Sequence, residues 1–334
     1  MRTVDTGRRQ VLGATLVSLA GGAFSSGARA SDDYPAKPIR IVVPFSPGGA
    51  MSVIARLLAD KLLAPLGQPV LVDNRAGAGG NIGAAIVARS PSDGYTLLLG
   101  SPGTQSINQY FYAEPGYDGI KDFKPLSLVC KSPSLIIVHP SLPVRTLPEL
   151  IAHVKQNPGL RYGHTSVGGT KHLAGELLKL KAGIDIEPVA YKGSGPLVTD
   201  ISGGHVQVAI DDVITAIPLA KAGRVRALAI TGQTRWPSLP DVPSVSELGG
   251  AFADYDVTAW YGLLAPAGTP APIVNRLSST VIEGLRNNNE VRERLVEMGV
   301  QPLGTTPDEY MAFIVSEHRR WGEVIKAAKI EIGK

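Results

Sequence analysis

The chain has 334 residues, of which 33 are Lys or Arg and 29 are Asp or Glu, so its formal net charge is +4. The first thirty residues contain four arginines and one aspartate, which leaves a net charge near neutrality for the remainder. This balance excludes the basic face that nucleic-acid binding requires, and the single cysteine, Cys130, excludes an internal disulfide. No spacing of Cys and His resembles a metal site, and we expect neither a metal nor another cofactor.

The first thirty residues have the pattern of an export signal. Arg8 and Arg9 precede an apolar run at 11–19, and Ala28 and Ala30 fit a small-residue cleavage site. The apolar run is shorter than the roughly 20 residues that a transmembrane helix needs. We therefore predict a periplasmic protein cleaved after Ala30. The paired arginines also resemble a twin-arginine signal, so the export route stays open.

The first predicted unit after this signal is a strand, a glycine-rich turn and a helix. Residues 39–43 are rich in β-branched side chains, and apolar residues between 53 and 62 follow the spacing of one helical face. The turn between them, PFSPGG at 44–49, opens the helix. A helix N-terminus exposes unpaired backbone N–H groups and the positive end of the helix dipole. The turn is therefore a candidate anion-binding corner, although many such turns bind no ligand.

The same pattern recurs at three later places in the chain. Residues 70–83, 160–173 and 189–196 each contain an extended run, then glycines, then helical spacing. If the N-termini of these helices converge, they would surround a negatively charged group without a cofactor.

Strands alternate with helices along the chain, which predicts an α/β fold with mostly parallel sheets flanked by helices. Extended runs at 126–129 and 135–138 are separated by KSPS at 131–134, and a new series of strands and helices follows. A long strand at 257–264 leads back toward the first part. We predict lobe one from residues 31–131 plus 257–334 and lobe two from residues 132–256, joined by two crossings that form a hinge beside a cleft.

Several enzyme motifs come close and fail. The segment GAGGNI at 77–82 has isoleucine where a dinucleotide fingerprint needs its third glycine. The segment HTSVG at 164–168 has histidine where a nucleophile elbow needs glycine. We therefore expect no enzymatic activity, and a secreted hydrolase with Ser166 as its nucleophile is kept as an alternative of a different class.

Longer runs, which extend down to Arg320 and Trp321, resemble the Bug family, the extracytoplasmic solute receptors of tripartite tricarboxylate transporters. They are PFSPGG at 44–49, QPVLVDNRAGAGGNIG at 68–83, DGYTLLLG at 93–100, HLAGE at 172–176, YKGSGP at 191–196 and KAGRVRALA at 221–229. The resemblance implies a two-lobed periplasmic binding protein, a type II-like Venus flytrap, that closes on a small carboxylate. It implies delivery of that ligand to membrane transporter subunits, and we expect a monomer. A receptor that reports to a membrane sensor kinase would share these features, because its docking surface has no readable signature.

The resemblance also implies a site in which backbone amides, hydroxyls and ordered water hold the carboxylate. Carried over by position, the ligand-binding residues are Ser46, Gly48, Gly49, Ser52, Ser101 and Thr104 in lobe one, and Thr165, Gly168, Gly169, Thr170, His172 and Asp211 in lobe two. Ser52 stands where the family often has an aspartate that can receive an amino group, which argues against an amino-acid ligand. Lys171 and His164 would suit an additional carboxylate of the ligand. The equally weighted alternative is that both are solvated surface residues with no ligand contact.

Overall fold

The computed structural model describes residues 34–165 and 167–328. All the elements named below belong to one compact unit that begins at Pro35. The predicted export signal with its cleavage site, and Ser166, lie outside the described residues. No helix within the described ranges has both the length and the hydropathy to cross a bilayer.

Strands and helices alternate along the described chain, as the sequence predicts. The strands are β1 Ile39–Val43, β2 Val70–Asn74, β3 Thr96–Gly100, β4 Phe123–Val138, β5 Arg161–Thr165, β6 Glu187–Tyr191, β7 Val208–Asp212, β8 Arg226–Ile230, β9 Thr258–Pro266 and β10 Gln301–Pro302. The α-helices are α1 Ala50–Leu57, α2 Asn81–Ala88, α3 Asn108–Phe111, α4 Leu147–Gln156, α5 Thr170–Ala182, α6 Ser194–Ser202, α7 Val213–Lys221, α8 Ala271–Asn287, α9 Asn289–Glu297 and α10 Pro307–Ala328.

The strands form two sheets that share β4. The first sheet has the order β2-β1-β3-β9-β4-β10. Strands β2, β1 and β3 are parallel to one another, and the pairs β3–β9, β9–β4 and β4–β10 are antiparallel. The second has the order β8-β4-β7-β5-β6, with β7, β5 and β6 parallel and β4 antiparallel to both of its neighbours. The two-lobed α/β fold predicted from the sequence is therefore present. Lobe one carries the first sheet and lobe two the second, and the residue boundaries between the lobes stay a prediction.

One strand joins the lobes where the sequence predicts two separate runs. β4 is 16 residues long, because residues 131–134 also find backbone partners. Lys131 pairs with Trp260 on β9 in the first sheet, and Ser134 pairs with Asp212 on β7 in the second. Pro133, which has no N–H to donate, lies at the point where the strand changes sheets and is tolerated there.

A second difference lies after β3. The residues SPGT at 101–104 are typical of a turn, but the chain winds into a π-helical segment at Gly103–Ile107 that leads into α3. All five residues of this segment are buried. Because it has no solvent-facing side, no apolar stripe marks it in the sequence.

Candidate functional site

A cavity lies between the lobes, where β1, β3, β5, β6 and β7 end. In parallel sheets this edge is where ligands bind. The cavity encloses about 580 Å³, part of which is open to solvent. Its wall consists of Phe45, Ser46, Gly49, Ala50, Met51, Ser52, Ser101, Pro102, Gly103, Thr165, Gly169, Thr170, Lys171, Gly193, Ser194, Asp212, Ala259 and Tyr261.

Three helices begin at this wall. Gly49 precedes α1 from lobe one, and Gly169 and Gly193 precede α5 and α6 from lobe two. Each of these helices has glycine at its N-cap, and glycine has no side chain that could cap the helix. In contrast, Thr146 caps α4 and Asn288 caps α9, and neither of these two helices lines the cavity. No side chain caps α1, α5 or α6, and Ser52 N in the first turn of α1 donates to Gly49 O at 3.0 Å. The other first-turn N–H groups and the positive ends of the three dipoles face one space.

The remaining glycine turn, at 76–83, does not line the cavity. A Cβ on Gly80 would lie 2.9 Å from Thr104 Cγ2, and one on Gly83 would lie 2.8 Å from Pro44 Cα. These glycines allow α2 to pack closely behind the two loops of lobe one. The turn supports the wall and is not a part of it.

The structure places most of the predicted ligand-binding residues on the wall. They are Ser46, Gly49, Ser52, Ser101, Thr165, Gly169 and Thr170. Their contact with a ligand stays a prediction. Gly48, Thr104, Gly168, His172 and Asp211 do not line the cavity, and each has a different place.

In lobe one, Thr104 lies behind the wall and shapes the turn after β3. Its Oγ1 accepts a hydrogen bond from Ser101 N at 3.0 Å. Gly48 lies beside the wall with φ +88°, a left-handed conformation that turns the chain toward Gly49. Asn74, which the sequence did not single out, donates from Nδ2 to Ser52 Oγ at 2.8 Å and so fixes a wall hydroxyl.

In lobe two, His172 holds the glycine turn from behind. Its Nδ1 accepts a hydrogen bond from Gly168 N at 3.1 Å, and its ring stacks on His164 with centroids 4.6 Å apart. Burial lowers the pKa of His172, which favours the neutral ring whose Nδ1 can accept. Gly168 has φ +75°, so the turn itself requires glycine.

Asp211 is predicted to bind the ligand, but it lies behind the cavity wall and does not line the cavity. The alternating segment VQVAI at 206–210 predicts a strand with Asp211 at its carboxyl end, but β7 continues to Asp212. Successive side chains of a strand point to opposite faces, so Asp212 is on the wall and Asp211 is not. Asp211 accepts from Ser194 Oγ at 2.7 Å and from Thr215 Oγ1 at 2.6 Å. Burial, together with the neighbouring Asp212 carboxylate, raises the pKa of Asp211 to about 6.

Of the charged part of the wall, sequence reasoning named Lys171 and missed Asp212 and Tyr261. Lys171 Nζ lies 2.7 Å from Asp212 Oδ2, and the two side chains are 9% and 5% exposed. Tyr261 OH donates to Asp212 Oδ1 at 3.0 Å. Burial raises the pKa of Tyr261 well above its usual value, so the hydroxyl keeps its proton. Tyr261 lies within an apolar strand, and nothing in its local sequence distinguishes it from a core residue.

The lobes touch beside the cavity. Ser46 Oγ in lobe one donates to Lys192 O in lobe two at 3.1 Å. A Cβ on Gly193 would lie 3.5 Å from Ser46 Cβ, so the backbones approach closely here. The structure is therefore closed along this edge.

Comparisons with known proteins agree with this geometry. A model of the family described as tripartite tricarboxylate transporter family receptor matches residues 54–330. The chain is 39% identical to Rpa4515 of R. palustris, solved with adipate, with a TM-score of 0.86 over 90% of this chain and 99% of that one. It is 34% identical to the periplasmic binding protein BugD, with a TM-score of 0.84 over 89% and 99%. It is 32% identical to MatC of Rhodopseudomonas palustris, solved with bound malate, with a TM-score of 0.81 over 87% and 100%.

Proposed function

We propose that this chain, which belongs to the tripartite tricarboxylate transporter receptor family, is a solute receptor that binds a small carboxylate between its lobes. The observation that carries the proposal is the convergence of three uncapped helix N-termini on one cavity, one from lobe one and two from lobe two. The adipate and malate bound by two similar proteins support the ligand class.

The affinity follows from adding several weak donors. A helix N-terminus stabilises an anion by ~0.3–1 kcal/mol, and by up to about 2 kcal/mol where water is excluded. Three N-termini, with the hydroxyls of Ser101 and Thr170 beside them, can supply the roughly −8 kcal/mol that micromolar binding requires. The ligand would be gripped mainly by backbone dipoles.

Binding would be coupled to closure of the cleft. A ligand in the cavity touches α1 and α5 together only when the lobes are closed, so it binds the closed state more tightly than the open one. The contact between Ser46 and Lys192 adds a hydrogen bond to the same state. The closed receptor would then be the form that the membrane partner recognises.

Family membership supports delivery of the ligand to the membrane subunits of a tripartite transporter. Similarity to periplasmic binding proteins supports a periplasmic location, and the export signal would be cleaved after Ala30 on translocation. The family and the solved neighbours are solute-binding proteins, which supports a role without catalysis. A single 1:1 complex of monomer and ligand is the expected form.

The test is calorimetry of the protein beginning at Ser31 with a panel of mono-, di- and tricarboxylates that includes adipate and malate. We expect at least one of them to bind with a dissociation constant of about 1–10 μM. The corresponding fully amidated compounds serve as uncharged controls and should bind at least tenfold more weakly. If no carboxylate in the panel binds, or if the diamides bind as well, the proposal is wrong.

A further inference from the structure

The cavity wall contains a buried cation that folding alone does not explain. Lys171 is the second residue of α5, and its side chain is 9% exposed. A positive charge in the first turn of a helix opposes the helix dipole, and burying an ammonium costs free energy. The last turn of the same helix carries Lys179 and Lys181, where the dipole favours cations. Lys171 is thus placed against both effects.

Lys171 is held in position by a chain of hydrogen bonds that crosses between the lobes. Its Nζ lies 2.7 Å from Asp212 Oδ2, and Tyr261 OH donates to Asp212 Oδ1 at 3.0 Å. Tyr261 belongs to β9, which pairs with β3 in the first sheet, whereas Lys171 and Asp212 belong to lobe two. All three residues line the cavity, so the ammonium is a fixed part of the wall.

The donors and acceptors of this cluster do not balance. Each carboxylate oxygen of Asp212 has a donor, and each carboxylate oxygen of Asp211 has one, from Ser194 or Thr215. An ammonium has three N–H donors, and among the described residues Asp212 is the acceptor within reach of Lys171 Nζ. Asp212 balances the charge of Lys171, and two N–H donors of the ammonium are left for the contents of the cavity.

We infer that Lys171 is a specificity-determining residue, which receives a second anionic group of the ligand while the helix N-termini hold the first carboxylate. This inference rests on the proposed function, because it assumes that the cavity binds a carboxylate. A charged second end would satisfy both remaining donors with charge-assisted hydrogen bonds. A ligand with an apolar second end would leave them unpaired in a buried site, which is costly.

The test compares ligands of the same shape that differ by one charge. Dicarboxylates of four to eight carbons, adipate among them, are titrated calorimetrically beside their monoamides, in which one carboxylate becomes a neutral amide. In the wild-type protein we expect the best dicarboxylate to bind at least tenfold more tightly than its monoamide. If every monoamide binds as tightly as its dicarboxylate, the inference is overturned while the proposed function stands. If neither series binds but a monocarboxylate does, the inference is also overturned, whereas the proposed function itself fails if no carboxylate of the full panel binds.

A charge-balanced variant assigns the discrimination to Lys171. Lys171→Met with Asp212→Asn removes both members of the ion pair, so no buried charge is left unpaired. We expect this double variant to reduce the preference for the dicarboxylate to less than threefold. Lys179→Met, which removes a cation of the same helix that does not line the cavity, should keep the wild-type ratio. A tenfold preference that survives in the double variant would overturn the inference, and the wild-type comparison decides alone if the double variant does not fold.

Discussion

At the scale of single residues, the groups behind the cavity wall are as constrained as those on it. Asp211 has no exposed surface, and Thr215 Oγ1 lies 2.6 Å from Asp211 Oδ2 and 3.0 Å from Asp212 O. A hydroxyl has one hydrogen and cannot donate fully to two acceptors. Protonation of Asp211 would remove this competition, because the carboxyl group could then donate to Thr215 Oγ1 and leave the Thr215 hydrogen for Asp212 O. The raised pKa of Asp211, about 6, agrees with this arrangement.

The first prediction is a pH-dependent contribution of Asp211 to stability. Its pKa is about 6 in the folded protein and about 3.9 in an unfolded chain, so the folded state binds more protons between these values. The free energy of unfolding contributed by this group therefore falls as pH rises from about 4 to 6, and stays low above that. Asp211→Asn should gain stability relative to wild type over this window, by on the order of 1–3 kcal/mol. Urea denaturation of both proteins at pH 4, 5, 6 and 7 measures the difference, and a difference that does not change with pH contradicts the prediction.

The second prediction concerns the buried ion pair. Lys171→Met alone leaves the Asp212 carboxylate buried and should cost about 3–5 kcal/mol of stability, whereas the double variant with Asp212→Asn should recover most of this loss. Lys37 and Asp93 form a control pair, since their side chains are 60% and 42% exposed. Lys37→Met should cost less than about 1 kcal/mol. Denaturant unfolding measures all four proteins, and a double variant that is less stable than Lys171→Met would show that the pair is not the cause.

At the scale of elements, the packing of α5 against β5 positions one of the three helix N-termini. A Cβ on Gly175 of α5 would lie 2.2 Å from Tyr162 Cζ on β5, so only glycine allows this approach. Tyr162 OH also donates to Glu176 Oε1 at 3.1 Å, which fixes the ring under the helix. If α5 moved away from β5, its N-terminus would move away from the cavity.

The third prediction follows from that contact. Gly175→Ala should force α5 outward, lower stability by about 1–3 kcal/mol through overpacking, and weaken carboxylate binding at least tenfold. Gly195→Ala on α6 is the matched control, because nothing lies within 4 Å of its Cβ position. Alanine is the better helix former, so this change should be neutral or slightly stabilising. Thermal unfolding and calorimetry test both variants, and equal effects of the two substitutions would contradict the role of the Gly175 contact.

Local chemistry explains what could be predicted at this scale. The end of α5 follows from Gly183, which adopts φ +60° after the last turn, and β1 follows from its β-branched run. The end of β7 is predicted two residues too early. For that reason Asp211 is chosen as the cavity residue in place of Asp212. The contacts of Lys171 and Tyr261 with Asp212 join residues distant in sequence, so no local pattern could predict them.

At the scale of the whole molecule, β4 belongs to both sheets, and the cavity lies where strands of the two sheets end. The first sheet supplies α1 and the second supplies α5 and α6, so each lobe holds part of a site that is complete only when the cleft is closed. The hydrogen bond between Ser46 and Lys192 lies at this edge. Closure and binding are therefore expected to be one coupled event.

The most direct test of this view is a crystal structure of the protein with the carboxylate that it binds most tightly. We predict that one carboxylate group lies within about 3.2 Å of main-chain nitrogens in the first turns of both α1 and α5. A carboxylate bound outside the cavity, or held there by side chains while these nitrogens point elsewhere, would contradict the central claim that backbone dipoles from two lobes grip the ligand.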